Sequence, residues 1–181
     1  MGDGSFVTLL RDVVSVRRRQ VDLSTLGSPR TPRYVLVTED VPCTLQPLSS
    51  EYGETVIGQA ERATHVAYLE PADVRAGDLL VERVVHLELA EDVEAGSSVF
   101  RVADEAGLVA GLRVELGTGA ESELHLVMGC VGDEATVDGP VTAGHVAGEP
   151  VYVVSAYEVC GVRDEAGRGH HLRLDLRVRD G

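Results

Sequence analysis

The sequence contains no lysine and no tryptophan, and aromatic residues make up only 4% of its 181 residues. Its 16 basic residues are all arginine, and they stand against 30 aspartates and glutamates, which gives a formal net charge of −14 at pH 7. A protein that binds nucleic acid across its surface needs basic patches to neutralise the phosphates. The charge therefore argues against such a protein, although it suits a surface past which DNA slides without adhering.

The three cysteines, Cys43, Cys130 and Cys160, are odd in number and widely spaced. They form no CxxC pair, so the sequence indicates neither a disulfide framework nor a zinc site. No apolar run approaches the roughly 20 residues of a membrane-spanning helix, and the first residues do not have the pattern of a signal peptide. The sequence therefore predicts free thiols and no membrane segment.

Hydrophobic residues make up 44% of the chain and glycine accounts for 20 positions, a composition that favours many short strands joined by tight turns. Apolar and polar residues alternate over 41–46 and most regularly over 172–178, which is typical of half-buried strands. Phe6, Leu9, Leu10 and Val13 have helical spacing, so a short helix is expected over residues 5–12. The predicted fold class is all-β, with this helix preceding a small antiparallel barrel.

Residues 83–148 contain about five further short strands, with turn signals every 8–12 residues. This spacing is typical of a small antiparallel barrel or sandwich. We predict that these residues form a second β-domain inserted into a turn of the first. The first barrel is then discontinuous and comprises residues 1–82 and 149–181.

The sequence lacks the motifs of the common catalytic sites, among them GxSxG, GxxxxGK[ST] and HExxH. Its six histidines are dispersed. His86, His125 and His145 lie within the predicted insert, where they would have to converge to bind a metal, but no carboxylate spacing supports such a site. We therefore predict no catalytic residue, no metal site and no cofactor, and we do not expect an enzyme.

A family resemblance is carried by six short segments in a fixed order: 13–18 (VVSVRR), 41–48 (VPCTLQPL), 64–69 (THVAYL), 76–78 (AGD), 151–154 (VYVV) and 170–174 (HHLRL). In this order they resemble the head-closure or stopper proteins of tailed bacteriophages, which are small β-barrels between the portal–adaptor assembly and the tail. The resemblance covers residues 7–82 and 149–178. Residues 83–148 have no counterpart in the minimal barrel of that family.

The resemblance implies a virion structural protein, assembled in the host cytoplasm and located at the head–tail interface. It would form a homomeric ring, expected to be a dodecamer, beneath the portal and adaptor. The ring would close the DNA channel of the filled capsid without sequence-specific contacts and would dock the tail terminator or tail tube. Two alternatives stay open: a tail-terminator or tail-completion protein, expected to be hexameric, and a virion-surface binding module carried by the insert.

In the family that this chain resembles, the loop between the second and third strands projects towards the ring axis and closes the channel. Here that loop spans residues 49–62, with glycines on either side of a β-branched triplet that would pair with its symmetry mates. Its glutamates would repel DNA phosphate. The residues assigned to this channel-closing loop are Glu51, Gly53, Glu54, Thr55, Val56, Ile57, Gly58 and Glu61.

Arginines at the end of the first predicted strand and on the polar face of the last one are the remaining candidate site. A basic strand end is usually solvated, but it also suits an inter-subunit or portal-facing salt-bridge patch. The polar face of the last strand suits water or an acidic neighbouring subunit. The candidate inter-subunit contacts are Arg17, Arg18, Arg19, Arg173 and Arg177.

Overall fold

A computed structural model describes residues 10–20, 33–48, 63–103, 107–164 and 171–179. The predicted all-β class is confirmed, because this part of the chain forms ten strands and, apart from them, only one turn of 3-10 helix at Gly119–Glu121. The strands are β1 (Asp12–Gln20), β2 (Arg33–Pro47), β3 (His65–Leu69), β4 (Leu79–Glu88), β5 (Val99–Arg101), β6 (Arg113–Leu116), β7 (Glu123–Val131), β8 (Glu134–Val137), β9 (Pro150–Asp164) and β10 (Leu172–Val178).

The chain divides into two compact units, and strands β1, β2, β4 and β9 contribute residues to both. The predicted limits of the insert, residues 83 and 148, stay a prediction. The first unit comprises the described residues of Met1–Arg18, Val37–Glu82 and Ala156–Arg179, and the second comprises those of Arg19–Leu36 and Arg83–Ser155.

The first unit is a closed barrel of six strands. Its strands follow the order β10-β3-β2-β1-β4-β9, and the additional pairing of β10 with β9 closes the ring. Closure leaves this unit without an open sheet edge among its described strands. The core inside it is aliphatic and is built mainly from Val14, Val16, Leu69, Leu80, Val159, Leu174 and Leu176.

Strand β2 runs unbroken through Glu39 and Asp40, and Asp40 has φ +54°. The predicted N-terminal helix lies mostly outside the described residues. Where it overlaps them it is wrong, because Leu10 and Arg11 are not helical and Asp12 begins β1.

The second unit is also a closed ring of strands. The order β4-β9-β6-β7-β8-β5 ends at β5, and hydrogen bonds from Ala90 N–H to the Arg101 carbonyl and from Ala103 N–H to the Glu88 carbonyl return the ring to β4. The predicted strands of this region are therefore present. The core of the second barrel consists mainly of Leu87, Leu89, Phe100, Val102, Val114, Leu116, Val127, Val137 and Val151.

Strand β7 turns its more polar face towards the barrel interior, although the apolar pattern of its sequence favours the other face. The apolar alternation of Leu124, Leu126 and Met128 correctly indicates a strand, but these side chains are only partly buried, and Met128 is 58% exposed. The interior face instead carries Glu123, His125 and Val127. Pairing explains this: Glu123 lies opposite Leu116 and His125 lies opposite Val114, and directly opposed residues share a face of the sheet.

Within the described residues, no helix has the length and apolar character required to cross a membrane.

Candidate functional site

The predicted channel-closing loop, residues 49–62, lies outside the described residues, and so do all eight residues assigned to it. Its two ends are described. Leu48 N–H donates to the Thr64 carbonyl at 2.9 Å, and Thr64 N–H donates to the Leu176 carbonyl at 2.7 Å. The Val178 N–H donates to the Thr64 hydroxyl at 3.1 Å. The two described ends of this connection therefore lie side by side and are fixed to β10.

The same end of the first barrel carries a group of interior polar side chains, which we call the mouth cluster: Asp12, His65, Glu82 and Tyr157. Glu82 lies opposite the core residue Val14, so it faces inward. His65 lies opposite Leu176 in the same way, and its ring is 5.1 Å from that of Tyr157. The Asp12 carboxylate accepts the Leu45 N–H at 2.7 Å. Two carboxylates thus lie inside one barrel end.

Burial, with the neighbouring Asp12 charge, raises the pKa of Glu82, although the Tyr157 hydroxyl donates a hydrogen bond that acts in the opposite direction. Cys43 is fully buried, and burial together with the charges of Asp12 and Glu82 raises the pKa of its thiol to about 12. A thiol with that pKa stays protonated at neutral pH. Cys43 is therefore a core residue and not a nucleophile or metal ligand.

The candidate inter-subunit arginines of β1 have different environments. Arg18 Nε and Nη2 each donate to a different Asp78 oxygen at 2.9 Å, and Nη1 donates to Asp73 at 3.1 Å. Arg17 is fully buried, whereas Arg19 is exposed. Arg18 is thus already engaged by two carboxylates of its own unit, and any contact with a neighbouring subunit would share those charges.

The two arginines of β10 also have acidic partners in their own unit. Arg177 Nη2 lies 2.6 Å from a Glu158 oxygen, and Arg173 Nε lies 3.5 Å from an oxygen of buried Asp175. Asp175 is further paired with Arg163 at 3.0 Å. The role of these arginines between subunits stays a prediction.

The second barrel contains a polar group that the sequence analysis did not assign to any site, which we call the buried cluster: Glu123, His125, Asp138, His145 and Glu149. Glu123 is 7% exposed, His125 is 7% exposed and His145 is 4% exposed. Both Glu123 oxygens accept the Thr142 N–H at 2.8 Å, and Oε1 also accepts the Ala143 N–H at 2.7 Å.

Each histidine of the buried cluster lies between two carboxylates. His145 Nδ1 is 2.8 Å from Glu149 Oε2, and its Nε2 is 3.7 Å from Glu123 Oε1. His125 Nδ1 is 3.6 Å from Asp138 Oδ1, and its Nε2 is 3.6 Å from Glu123 Oε2. Neither Nε2 atom has a hydrogen-bond partner. The two imidazoles thus approach different oxygens of one carboxylate.

Burial by itself would raise the pKa of Glu123. The interactions with His125 and with the N–H groups of Ala143 and Thr142 outweigh it and lower the pKa to about 2. Glu123 is therefore a carboxylate at neutral pH, held inside a barrel. Such a buried charge is tolerated only where donors surround it.

The amino-acid sequence contains two signals for this cluster. His125 and His145 do converge, as a metal site would have required, but His86 instead stacks on Tyr152 with ring centroids 5.1 Å apart. No three His, Cys, Asp or Glu residues of the described part of the chain are arranged to hold a metal ion. The other signal was the alternation of Glu123 and His125 with leucines, which was ambiguous about the interior face.

The comparisons with known proteins give no relative for this chain: no family model matches it, and no curated protein matches it.

Proposed function

We propose that this chain is a non-enzymatic structural subunit of the head-to-tail connector of a tailed bacteriophage, acting as the stopper. One observation carries the proposal. The two described ends of the β2–β3 connection, Leu48 and Thr64, are hydrogen bonded to each other on a closed six-stranded barrel, and 14 residues of sequence, 49–62, join them. A stopper needs a rigid subunit body with one long connection that extends from it.

The composition of that connection fits the role. Thr55, Val56 and Ile57 are β-branched, so they favour strand pairing with the same triplet of neighbouring subunits. Gly53 and Gly58 flank the triplet and supply backbone freedom for opening and closing. Closure then depends on contacts among loops, while the barrel keeps its shape.

The charge supports a channel that does not retain DNA. With a net charge of −14, each subunit repels phosphate, so the duplex passes without binding to the wall. The same charge opposes ring closure between free subunits. We therefore propose that the homomeric ring, a dodecamer, forms on the portal–adaptor assembly in the host cytoplasm. In the virion it contacts the tail terminator or tail tube and needs no cofactor.

The test is a phage that encodes the chain with residues 49–62 replaced by a two-residue turn. Heads should still fill with DNA and incorporate the connector, but they should lose their DNA before the tail attaches. The measurement is the amount of nuclease-protected DNA in tailless heads. The control is Val131→Ser, which changes an exposed side chain at the β7 end and should leave DNA retention unchanged. Full retention in heads with the shortened loop would refute the proposal.

A second candidate is a virion-surface binding module carried by the second barrel. The observation that favours it is the exposure of two apolar side chains of β7, with Val131 82% exposed and Met128 58% exposed. Exposed apolar groups of this kind occur at protein contact sites. The double variant Met128→Ser, Val131→Ser separates the two candidates, because a binding module would lose adsorption to the host while its particles kept their DNA.

A further inference from the structure

The connection between β8 and β9, residues 138–149, covers part of the second barrel, and we call it the latch segment. Its Val141 is buried in the core. Backbone hydrogen bonds hold the segment at several points: Val93 and His145 exchange two of 2.8 and 2.9 Å, Gly96 N–H and Val141 N–H donate to the Val141 and Ser97 carbonyls at 2.8 Å, and Gly148 N–H donates to the Leu89 carbonyl at 2.8 Å. Carboxylates hold it as well, because Asp92 accepts the Ala147 N–H at 2.8 Å and Glu123 accepts the N–H groups described above. Glu123 is the contact that lies inside the barrel.

We propose that protonation of His145 and His125 holds the latch segment against Glu123. As imidazolium ions the two histidines are attracted to the Glu123 carboxylate, and the segment is released when they become neutral. This is a property of the second barrel alone and does not depend on the connector function.

The donor and acceptor geometry of His145 carries the first step. An ionised carboxylate only accepts hydrogen bonds, so the 2.8 Å contact with Glu149 requires the proton of a neutral imidazole to lie on Nδ1. Nε2 would then be a bare lone pair, buried and 3.7 Å from the Glu123 carboxylate. A second proton replaces this repulsion by an attraction between opposite charges. Only the imidazolium therefore presents a donor to both Glu149 and Glu123.

His125 supports the same conclusion from the opposite side of Glu123. Both of its ring nitrogens face carboxylate oxygens at 3.6 Å, those of Asp138 and Glu123. A neutral imidazole can turn a donor towards only one of them, whereas an imidazolium presents a donor to each. With both histidines neutral, the cluster would contain three carboxylates and no cation. With both protonated, two cations offset them.

A proton fits these groups better than a metal ion. His125 Nε2 approaches Oε2 of Glu123 and His145 Nε2 approaches Oε1, so the two nitrogens do not share one oxygen. The same oxygens already accept backbone hydrogen bonds from the latch segment. A bound metal ion would have to compete with those bonds for the lone pairs of Glu123.

The proposal fixes the direction in which pH changes the stability of the closed latch segment. A group that is protonated more readily in the closed form stabilises that form while it carries its proton, and this stabilisation is lost as pH rises. The charged groups that face the two histidines are Glu123 on β7, Asp138 at the end of β8, and Glu149 before β9, with Asp92 holding the segment from the turn after β4. All are acidic, so each favours the protonated histidine.

Amide hydrogen exchange of the full-length protein tests the latch. Protection factors for Thr142 and Ala143, corrected for the intrinsic effect of pH, should fall about tenfold between about pH 5.5 and about pH 8. In His145→Gln they should be low at both pH values. The matched control is His86→Gln in the same unit, whose exposed ring does not touch the latch segment's acidic partners and which should behave like the unmodified protein.

A second measurement keeps the proposal testable if His145→Gln does not fold. In the unmodified protein, nitrogen NMR shifts should show both ring nitrogens of His145 protonated at a pH where His86 is already neutral. Protection that does not change with pH, or a titration of His145 that matches that of His86, would overturn the proposal. So would increased protection of Thr142 and Ala143 on adding equimolar Zn²⁺ at pH 8, because it would identify a metal site instead.

Discussion

The two barrels have the same number of strands around their interiors, yet they treat an interior glutamate in opposite ways. In the first barrel, Glu82 lies at one end with Asp12 beside it, and burial raises its pKa. In the second barrel, Glu123 is more deeply enclosed, but N–H donors and His125 lower its pKa to about 2. Burial depth therefore does not decide the sign of the pKa shift; the supply of donors does.

This difference assigns different tasks to the two glutamates. Glu123 organises a connection by accepting the hydrogen bonds of Thr142 and Ala143, so its negative charge is part of the folded structure. For Glu82, burial and the like-charged Asp12 outweigh the favourable interactions with Tyr157 and His65, so its negative charge weakens the barrel that contains it. Removing each charge should consequently have effects of opposite sign.

The largest effect is expected from Glu123→Ala. This change leaves two partly buried N–H groups without an acceptor and two buried histidines without their shared carboxylate, which should lower the free energy of unfolding of the second barrel by about 3–5 kcal/mol. Denaturant unfolding, with amide exchange of Val127 and Val151 as the local probe, measures it.

The control for this variant is Glu134→Ala, which removes a glutamate from the same unit. Glu134 pairs with Arg101 at 2.9 Å, but both side chains are largely exposed, so the loss should be about 0–1 kcal/mol. Equal losses in the two variants would mean that the buried cluster does not organise the latch segment.

The next largest effect is the loss of stability of the second barrel at low pH. The folded-state pKa of Glu123 is about 2, against an ordinary value of 4.5, so its contribution is present above pH 4.5 and is lost as pH falls towards 2. The loss for the second barrel should be on the order of 3 kcal/mol. Glu82 has a raised pKa, so acid should favour the first barrel through that residue.

Amide exchange of Val127 and of Val14, measured between about pH 5 and about pH 2.5, compares the two barrels directly. The exchange-derived opening free energy should fall more steeply for Val127. If the opening free energy at Val14 fell as steeply, general charge repulsion would explain the loss of stability in acid better than protonation of Glu123 does.

These contrasts show how far the sequence could be interpreted. Period-2 alternation found most strands and the all-β class, because half-buried strands leave that pattern wherever one face is apolar. It could not decide the interior face of β7, where Leu124 and Leu126 argued for one face and strand pairing selected Glu123 and His125 on the other. Nor could it show that β4 and β9 each extend through both units, because a long strand and two short ones have the same local pattern.

The candidate sites show the same difference between what local sequence indicates and what contacts between distant residues decide. The loop at 49–62 was assigned from the family resemblance and its composition, the arginines from local sequence, and both assignments stay predictions. Local sequence could not show that Arg18 is already bound to Asp78, because that partner lies 60 residues away. The buried cluster was missed for the same reason: its members come from β7 and from the latch segment, and only the closed barrel brings them together.

Two glycines in the second barrel test how firmly His145 is held, with a smaller expected effect. Gly117 (φ +72°) and Gly119 (φ +66°) both have left-handed backbones, but a Cβ atom at Gly117 would lie 3.0 Å from His145 Cε1, while one at Gly119 meets nothing within 4 Å. Alanine at either position should cost about 1 kcal/mol for the backbone. Gly117→Ala should cost about 1 kcal/mol more, because it displaces the imidazole.

Thermal unfolding of the two glycine variants gives the comparison. Gly119→Ala is the control for the backbone contribution. Equal melting temperatures would show that His145 moves aside freely and is not held between its carboxylates.

The smallest expected effect is a gain in stability, from Glu82→Gln in the first barrel. A neutral amide still accepts the Tyr157 hydrogen bond, but it removes the repulsion with Asp12 and the cost of burying a charge. Glu82 is partly exposed, so solvent screening limits the gain to about 0.5 kcal/mol at pH 7. The gain should vanish in acid, where the original glutamate is itself protonated.

The control Glu158→Gln breaks the 2.6 Å pair with Arg177 and should instead lose up to about 1 kcal/mol. A loss of stability in Glu82→Gln at pH 7, measured by denaturant unfolding, would mean that the Glu82 charge stabilises the first barrel and that the contrast between the two glutamates does not hold.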